Sequence, residues 1–166
     1  MIYLLKRIRI PNITDYKSTK IIGVEPDTAN VMYRSFVERG PAQLTGAKSV
    51  AVGTCAPNAG EITYAMCQNF VDDIVLVNDT DIIRALQVAY NRLKLVLEPT
   101  GVVALAALLK NNASSGDGSY LLRNIIENIK RTKTSTVSGK SSQITIVVVI
   151  SGANVGIKEF SNYLNQ

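Results

Sequence analysis

The polar residues best placed for chemistry follow an apolar run near the carboxyl end of the chain. Residues 144–150 are mostly β-branched and almost wholly apolar, which predicts a strand covered on both faces and therefore central in a sheet. Residues 151–154 read Ser-Gly-Ala-Asn, at the strand end where ligands collect in open α/β sheets. The alternative is an ordinary turn with a helix N-cap, and the pattern alone favours that alternative.

The chain contains no histidine, which excludes several mechanisms. A Ser-His-Asp triad, a Cys-His pair, a histidine general base and a histidine-ligated zinc are all ruled out. Any chemistry must therefore use carboxylates, hydroxyls, lysines, backbone groups or a cofactor. Cys55 and Cys67 have no further Cys or His to complete a metal site, so we expect two free thiols, with Cys67 packed on a helix.

Strands and helices must alternate to position these residues. Strands are predicted at residues 19–25 and 72–77. Asn78, followed by Asp81, predicts an N-capped helix whose apolar period continues to about residue 97. Further helices are predicted at residues 27–37, 61–70, 102–109 and 120–129 and close to the C-terminus. The sequence therefore predicts an α/β fold with a largely parallel sheet flanked by helices.

The net charge of +5 does not indicate a nucleic-acid-binding protein. The basic excess lies in residues 1–20 and 110–142, and neither segment has interleaved aromatics or a reading helix, which makes nucleic-acid binding the weakest hypothesis. No apolar run approaches the ~20 residues of a membrane helix. Residues 1–9 are basic and amphipathic, like a transit peptide, but lack serine. We expect an intracellular, cytoplasmic protein without a membrane partner, and a mitochondrial or plastid location stays open.

Five segments, in order along the chain, resemble the pyridoxal-phosphate-dependent serine and threonine dehydratases of fold type II. They are Ile-Ile-Gly-Val-Glu-Pro-Asp-Thr-Ala-Asn-Val-Met at residues 21–32, Val-Ala-Val with Gly-Glu-Ile-Thr-Tyr at 50–52 and 60–64, Val-Asp-Asp-Ile-Val-Leu-Val at 71–77, Lys-Leu-Val-Leu-Glu-Pro-Thr-Gly with Ala-Leu-Ala at 94–101 and 104–106, and Val-Ile-Ser-Gly-Ala-Asn-Val at 149–155. Five collinear segments are more specific than any single motif. The resemblance is strongest to the biosynthetic threonine dehydratases.

The resemblance implies pyridoxal phosphate as cofactor and β-elimination from threonine or serine. With threonine the products would be 2-oxobutanoate and ammonia, as in isoleucine biosynthesis. It also implies that Ser151 hydrogen-bonds the pyridine nitrogen, that Glu98 lies close to the ring, and that Gly152 belongs to the same cofactor-binding set. From the residues alone, Glu98 is a helix-end carboxylate. Asn154 is expected to fix the turn and the helix start, and the intact enzyme is expected to be a homo-oligomer.

Several family features are replaced or missing. In the racemase-like branch a divalent cation is held by residues matching Glu25, the Ala29 carbonyl and Val31; valine cannot ligate a hard cation, so we predict no metal. The family's Ala-Asp-Gly turn corresponds to Ala-Lys-Ser at residues 47–49. No lysine stands in the family's Ser-Phe-Lys-x-Arg-Gly motif, and no glycine-rich phosphate loop is present. The resemblance thus implies that little in the isolated chain holds the phosphate of pyridoxal phosphate, which puts cofactor binding by this chain alone in doubt, and that the isolated chain is inactive.

We interpret the chain as the incomplete C-terminal part of one catalytic domain without a regulatory domain. Its expected divisions are a leftover helix or linker at residues 1–18, a family-matching core at 19–109 and 143–166, and a polar basic insertion at 110–142. Two hypotheses stay open. The first is a pyridoxal-phosphate-dependent lyase of the threonine ammonia-lyase type, and the second is a non-catalytic module or one half of a split enzyme that pairs with another chain.

Overall fold

A parallel pair of strands forms the centre of the described fold. The computed structural model describes residues 19–110, residue 127 and residues 145–166. Strand β1 (Ile22–Pro26) pairs with β2 (Asp73–Val77) in parallel. Both strands were predicted and are confirmed. The interpretations of the N-terminal linker and of the insertion concern residues that lie almost entirely outside the described part.

Two helices and a short turn connect β1 to β2. These are α1 (Val31–Glu38), a 3-10 turn (Val52–Thr54) and α2 (Glu61–Phe70). Helix α1 begins later than predicted because the preceding residues form a turn, in which the Ala29 N–H donates to the Pro26 carbonyl at 3.0 Å. The two helices pack through the rings of Phe36 and Tyr64, which meet edge to face at 6.4 Å.

Helix α3 (Asp79–Val88) begins at the predicted cap. The Asn78 side chain accepts the Asp81 N–H at 2.8 Å, and the Asp81 carboxylate accepts the Asn78 N–H at 3.4 Å, which completes a capping box. The predicted end is wrong: a π-helical turn at Ala89–Leu93 ends the helix, and Lys94 takes a left-handed conformation. The apolar period runs on in sequence, but Leu95 and Val96 are 40% and 50% exposed, and Leu97 packs in the core from a position outside any helix.

Two further helices close the core. They follow a 3-10 turn (Pro99–Val102) and are α4 (Val103–Leu109) and α5 (Ile157–Leu164). Helix α4 packs against both strands and α3, as its apolar sequence predicts, and α5 packs against α3. The Phe160 ring of α5 meets Tyr90 edge to face at 5.4 Å. The most buried core side chains are Val75, Val77, Ile82, Ala85, Leu86, Val102 and Ala106.

A buried lysine joins the end of α4 to β2. The Lys110 ammonium donates to the Leu76 carbonyl at 3.2 Å and lies 4.0 Å from the Asp81 carboxylate. Its side chain is only 8% exposed. Because burying a charge is costly without such partners, these contacts hold the sheet, α3 and α4 together.

The prediction of a central strand before Ser151 is wrong for residues 145–150, which the structure describes. Residues 145–150 are not part of the two-stranded sheet. Val148 and Ile150 pack on the core, whereas Val147 is 68% exposed. An apolar sequence can fill a central position only when strands and side chains of other elements cover it, and among the described residues nothing covers the outer face of this segment.

Both cysteines are free thiols, as predicted, and both are half-buried. Cys67 lies on α2, also as predicted. Of the helices in the described ranges, none has the length and apolar character needed to cross a membrane.

Candidate functional site

The two sequence motifs predicted to form a site are joined by backbone hydrogen bonds. The Glu98 N–H donates to the Gly152 carbonyl at 3.1 Å, and the Ser151 N–H donates to the Gly101 carbonyl at 3.3 Å. Glu98 stands just before the 3-10 turn at Pro99–Val102, so it is not at the end of a long helix. The structure therefore brings Glu98, Ser151 and Gly152 together, although they are far apart in sequence.

Two glycines make this close approach possible. A Cβ atom on Gly101 would lie 1.5 Å from the Ser151 carbonyl oxygen, so no side chain fits there. Gly152 has φ of +74°, a left-handed conformation that favours glycine, and a Cβ atom on it would lie 1.9 Å from Oε1 of Glu98. We call residues 98–101 and 151–152 the paired turns.

Two polar side chains in the paired turns have no hydrogen-bonded or ion-paired partner among the described residues. Ser151 is exposed and its hydroxyl forms no hydrogen bond to another described residue. Glu98 is half-buried, its carboxylate rests against the Gly152 backbone, and within the described ranges it has no ion pair. A hydroxyl donates and accepts a hydrogen bond, whereas a carboxylate only accepts. The pair can therefore bind a ligand that offers both an acceptor and a donor.

A loop at residues 49–54, whose contacts the sequence did not predict, packs beside the paired turns. Asp79, the first residue of α3, accepts hydrogen bonds from the Ser49 hydroxyl at 2.5 Å and the Val50 N–H at 3.1 Å. Further along the loop, the Gly53 N–H donates to Oγ1 of Thr100 at 3.1 Å. No local pattern marks these contacts, because each joins common polar residues that are distant in sequence.

Asn154 does not start the last helix, contrary to the prediction. Helix α5 begins at Ile157, and the N-cap position belongs to Gly156, without a side-chain cap. Asn154 is exposed and has no side-chain hydrogen bond to another described residue.

Glu25 caps a helix in this structure. Its carboxylate accepts the N–H groups of Met32 at 3.0 Å and Tyr33 at 2.7 Å, which lie in the first turn of α1. Burial raises the pKa of Glu25, and these two hydrogen bonds offset part of that rise. Val31, at the position of the third cation ligand, is buried. In the described part of the chain, no three His, Cys, Asp or Glu residues are grouped so that they could hold a metal ion.

Comparisons with known sequences relate this chain to one group of enzymes. The sequence profile described as "pyridoxal-phosphate dependent enzyme" matches residues 4–127. The phenylserine dehydratase of Ralstonia pickettii is 37% identical over 90 residues, covering 54% of this chain and 28% of that protein. The serine racemase of Schizosaccharomyces pombe is 28% identical over 147 residues, covering 89% of this chain and 38% of that protein.

A comparison with solved structures supports the same relationship. The processed form of threonine deaminase isoform 2 from Solanum lycopersicum superposes with a TM-score of 0.64 and 28% identity, covering 89% of this chain and 36% of that chain. The expected α/β fold with a parallel sheet flanked by helices is thereby confirmed. The chain spans about a third of the length of the curated relatives it matches.

Proposed function

Because the chain belongs to the family of pyridoxal-phosphate dependent enzymes, we propose that its paired turns form the ring-binding part of a site for β-elimination from a hydroxy amino acid. The observation that carries the proposal is the pair of backbone hydrogen bonds between residues 98–101 and residues 151–152, beside which the Glu98 and Ser151 side chains have no hydrogen-bonded or ion-paired partner among the described residues. The profile match over residues 4–127 contains four of the five sequence segments that carry the resemblance and confirms it, while the segment at residues 149–155 lies outside that match.

The residues of the paired turns fit the pyridine ring of the cofactor. When bound, the cofactor supplies a sink for the electrons of the bond broken at the substrate α-carbon. The exposed Ser151 hydroxyl offers a hydrogen bond to the ring nitrogen without transferring a proton to it. A carboxylate at this position would hold the nitrogen protonated, so serine favours a neutral ring, which suits elimination. Gly152, lacking a side chain, leaves room for the backbone to approach the ring.

Glu98 is held in position because its backbone and its side chain both contact Gly152. Its carboxylate lies close to the position of Ser151 and can accept a hydrogen bond from a ligand on the ring side. The 3-10 turn that follows Glu98 is anchored by the buried Val102, which limits how far the carboxylate can move.

The substrate class follows from what the relatives' names have in common. Phenylserine, threonine and serine all carry a hydroxyl on the β-carbon next to the amino-bearing α-carbon. We propose a substrate of this type, with L-threonine the first candidate and serine the second. Elimination releases water, and hydrolysis of the resulting enamine gives ammonia and a 2-oxo acid, 2-oxobutanoate in the case of threonine, as isoleucine biosynthesis requires. The base of this reaction in the family is the lysine whose motif this chain does not contain, so the isolated chain is expected to release no ammonia.

The second candidate function is a non-catalytic module, or one half of a split enzyme, that pairs with another chain. It is favoured by exposed apolar side chains beside the paired turns, including Val96, which is 50% exposed, and Val147. Exposed apolar surface of this kind is typical of a protein–protein contact. A partner that carries the lysine motif and restores ammonia release on mixing would support this candidate, whereas failure of every such chain to bind would contradict it.

The proposed ring contact can be tested with pyridoxine 5′-phosphate, which has the ring and phosphate but no aldehyde to react with surface lysines. The full chain should bind it saturably, and Ser151→Ala should weaken binding about two- to tenfold, the value of one hydrogen bond. Ser161→Ala, which removes an exposed hydroxyl from α5, is the matched control and should leave the affinity unchanged. Equal affinities for wild type and Ser151→Ala would contradict the proposal.

A further inference from the structure

The loop beside the paired turns is fastened at its first end to the start of α3. Ser49 is 8% exposed, and its hydroxyl both donates to Asp79 and accepts the Ala51 N–H at 3.1 Å. Val50 adds its N–H to the same Asp79 carboxylate. Two hydrogen bonds to one charged acceptor, at the edge of a buried helix, hold this end firmly in place.

The second end is fastened to the turn that carries Glu98. The Gly53 N–H donates to Thr100 Oγ1, and a Cβ atom on Gly53 would lie 3.0 Å from both Oγ1 and Cγ2 of Thr100. The Gly53 backbone therefore lies so close to the Thr100 side chain that a Cβ atom on residue 53 would be in very tight contact with it. Thr100 lies between Glu98 and Gly101, which make the backbone hydrogen bonds of the paired turns.

Between its two ends the loop has an internal structure that keeps its length constant. Ala51 is fully buried in the same core as Val102, and its carbonyl accepts both the N–H and the hydroxyl of Thr54, the latter at 2.7 Å. A movement at one end must therefore be transmitted to the other end, since the loop between them cannot stretch or slide without breaking buried contacts.

We propose that Asp79 and Thr100 are positioning residues, which act through residues 49–54 and the Pro99–Val102 turn to fix the Glu98 carboxylate beside Ser151. Neither residue needs to touch a ligand. Asp79 fixes the loop relative to α3, and Thr100 passes that position to the paired turns. The inference rests on the proposed function, because the position of Glu98 matters only if the paired turns bind a ligand. The coupling between the loop and the paired turns can nevertheless be measured in the protein without ligand.

Thr100 variants of the full chain test the coupling by nuclear magnetic resonance. Thr100→Val keeps the shape of the side chain and removes the acceptor, so the Gly53 amide should exchange with solvent about tenfold faster. The amide signals of Glu98 and Ser151 should shift with it, and the affinity for pyridoxine 5′-phosphate should fall about threefold. Thr100→Ser keeps the acceptor and should restore all three readouts.

Thr63→Val is the matched control, because the exposed Thr63 hydroxyl donates to the Gly60 carbonyl at 2.8 Å, outside residues 49–54 and the paired turns. It should leave the Glu98 and Ser151 signals in place. Ser49→Ala, at the other end of the loop, should shift the same two signals as Thr100→Val. If Thr100→Val does not fold, Gly53→Ala disturbs the same contact from the opposite side and should produce the same shifts.

The coupling would be refuted if Thr100→Val sped up Gly53 exchange but left the Glu98 and Ser151 signals unchanged. Thr100 would then hold the loop in place without positioning Glu98 or Ser151. Failure of the proposed function is distinguishable from this result. A wild-type chain that does not bind pyridoxine 5′-phosphate, but whose signals shift as described, would contradict the ring site and support the coupling.

Discussion

Gly101→Ala is expected to separate the paired turns, because there is no space for the added methyl group. The new Cβ atom would lie 1.5 Å from the Ser151 carbonyl oxygen, 2.7 Å from the Ser151 carbonyl carbon and 3.0 Å from the Gly152 carbonyl oxygen. Carbon and oxygen atoms that contact each other closely are about 3.3 Å apart or more. The two segments must therefore move apart by roughly 2 Å, and all the obstructing atoms are backbone.

The energetic cost follows from what that movement breaks. Both backbone hydrogen bonds of the paired turns are lost, about 0.5–1.5 kcal/mol each. Residual crowding against the buried Val102 turn adds about 1–3 kcal/mol. The free energy of unfolding should therefore fall by about 2–6 kcal/mol, a large fraction of the stability of a small domain.

Urea denaturation of wild type and Gly101→Ala measures this loss, and the amide signals of Glu98 and Ser151 locate it. Gly46→Ala is the matched control, because nothing lies within 4 Å of a Cβ atom there, and its free energy of unfolding should stay within about 0.5 kcal/mol of wild type. A Gly101→Ala protein with wild-type stability and unmoved Glu98 and Ser151 signals would refute the contact between the turns.

Three further substitutions test elements that support the site. Asn78→Ala removes the N-cap of α3 and should lower the free energy of unfolding by about 1 kcal/mol; no loss would contradict the capping box. Burial raises the pKa of Glu25, so its contribution to the free energy of unfolding is complete below pH 4.5 and is lost as the pH rises through the raised pKa. Glu25→Gln should therefore reduce the fall in stability with rising pH, measured by urea denaturation at a series of pH values. An unchanged pH profile would contradict the raised pKa. The thiol pKa of Cys67 is raised by burial and, to a smaller extent, by the charge of Glu25, so the same variant should alkylate Cys67 faster. Lys110→Met leaves the Leu76 carbonyl without this donor and should cost about 1–3 kcal/mol in urea denaturation; wild-type stability would show that the contact is dispensable.

Local patterns in the sequence predicted the elements that local interactions determine. The cap at Asn78 is set by two side chains three residues apart, and the structure has both of its hydrogen bonds. The two strands and the buried helix after Pro99 follow from short runs of apolar residues with clear ends. Residues 151–154 were singled out by their place after an apolar run and the motif of Glu98 through the family resemblance, and the structure joins the two by backbone hydrogen bonds.

Features that depend on distant partners could not be predicted in this way. The apolar run before Ser151 indicates a covered strand, yet its outer face is open, because coverage depends on other segments and not on the run itself. The helix from Asp79 has an apolar period beyond Leu93, but Lys94 leaves the helical conformation, and Leu97 reaches the core without being helical. No local pattern indicates the contacts that Asp79 and Thr100 make with the loop, since a carboxylate or hydroxyl with a distant partner has the same sequence appearance as one that faces solvent.

The nitrogen resonance of ring-labelled pyridoxine 5′-phosphate tests the proposed ring site most directly. With the wild-type chain, the bound ring nitrogen should show the resonance of a neutral, hydrogen-bonded pyridine, and Ser151→Ala should abolish that hydrogen-bond shift. Ser151→Asp should instead move the resonance to that of a protonated ring, because the carboxylate stabilises the charge. Identical ring-nitrogen resonances for the wild type and both variants would contradict the placement of Ser151 at the ring nitrogen.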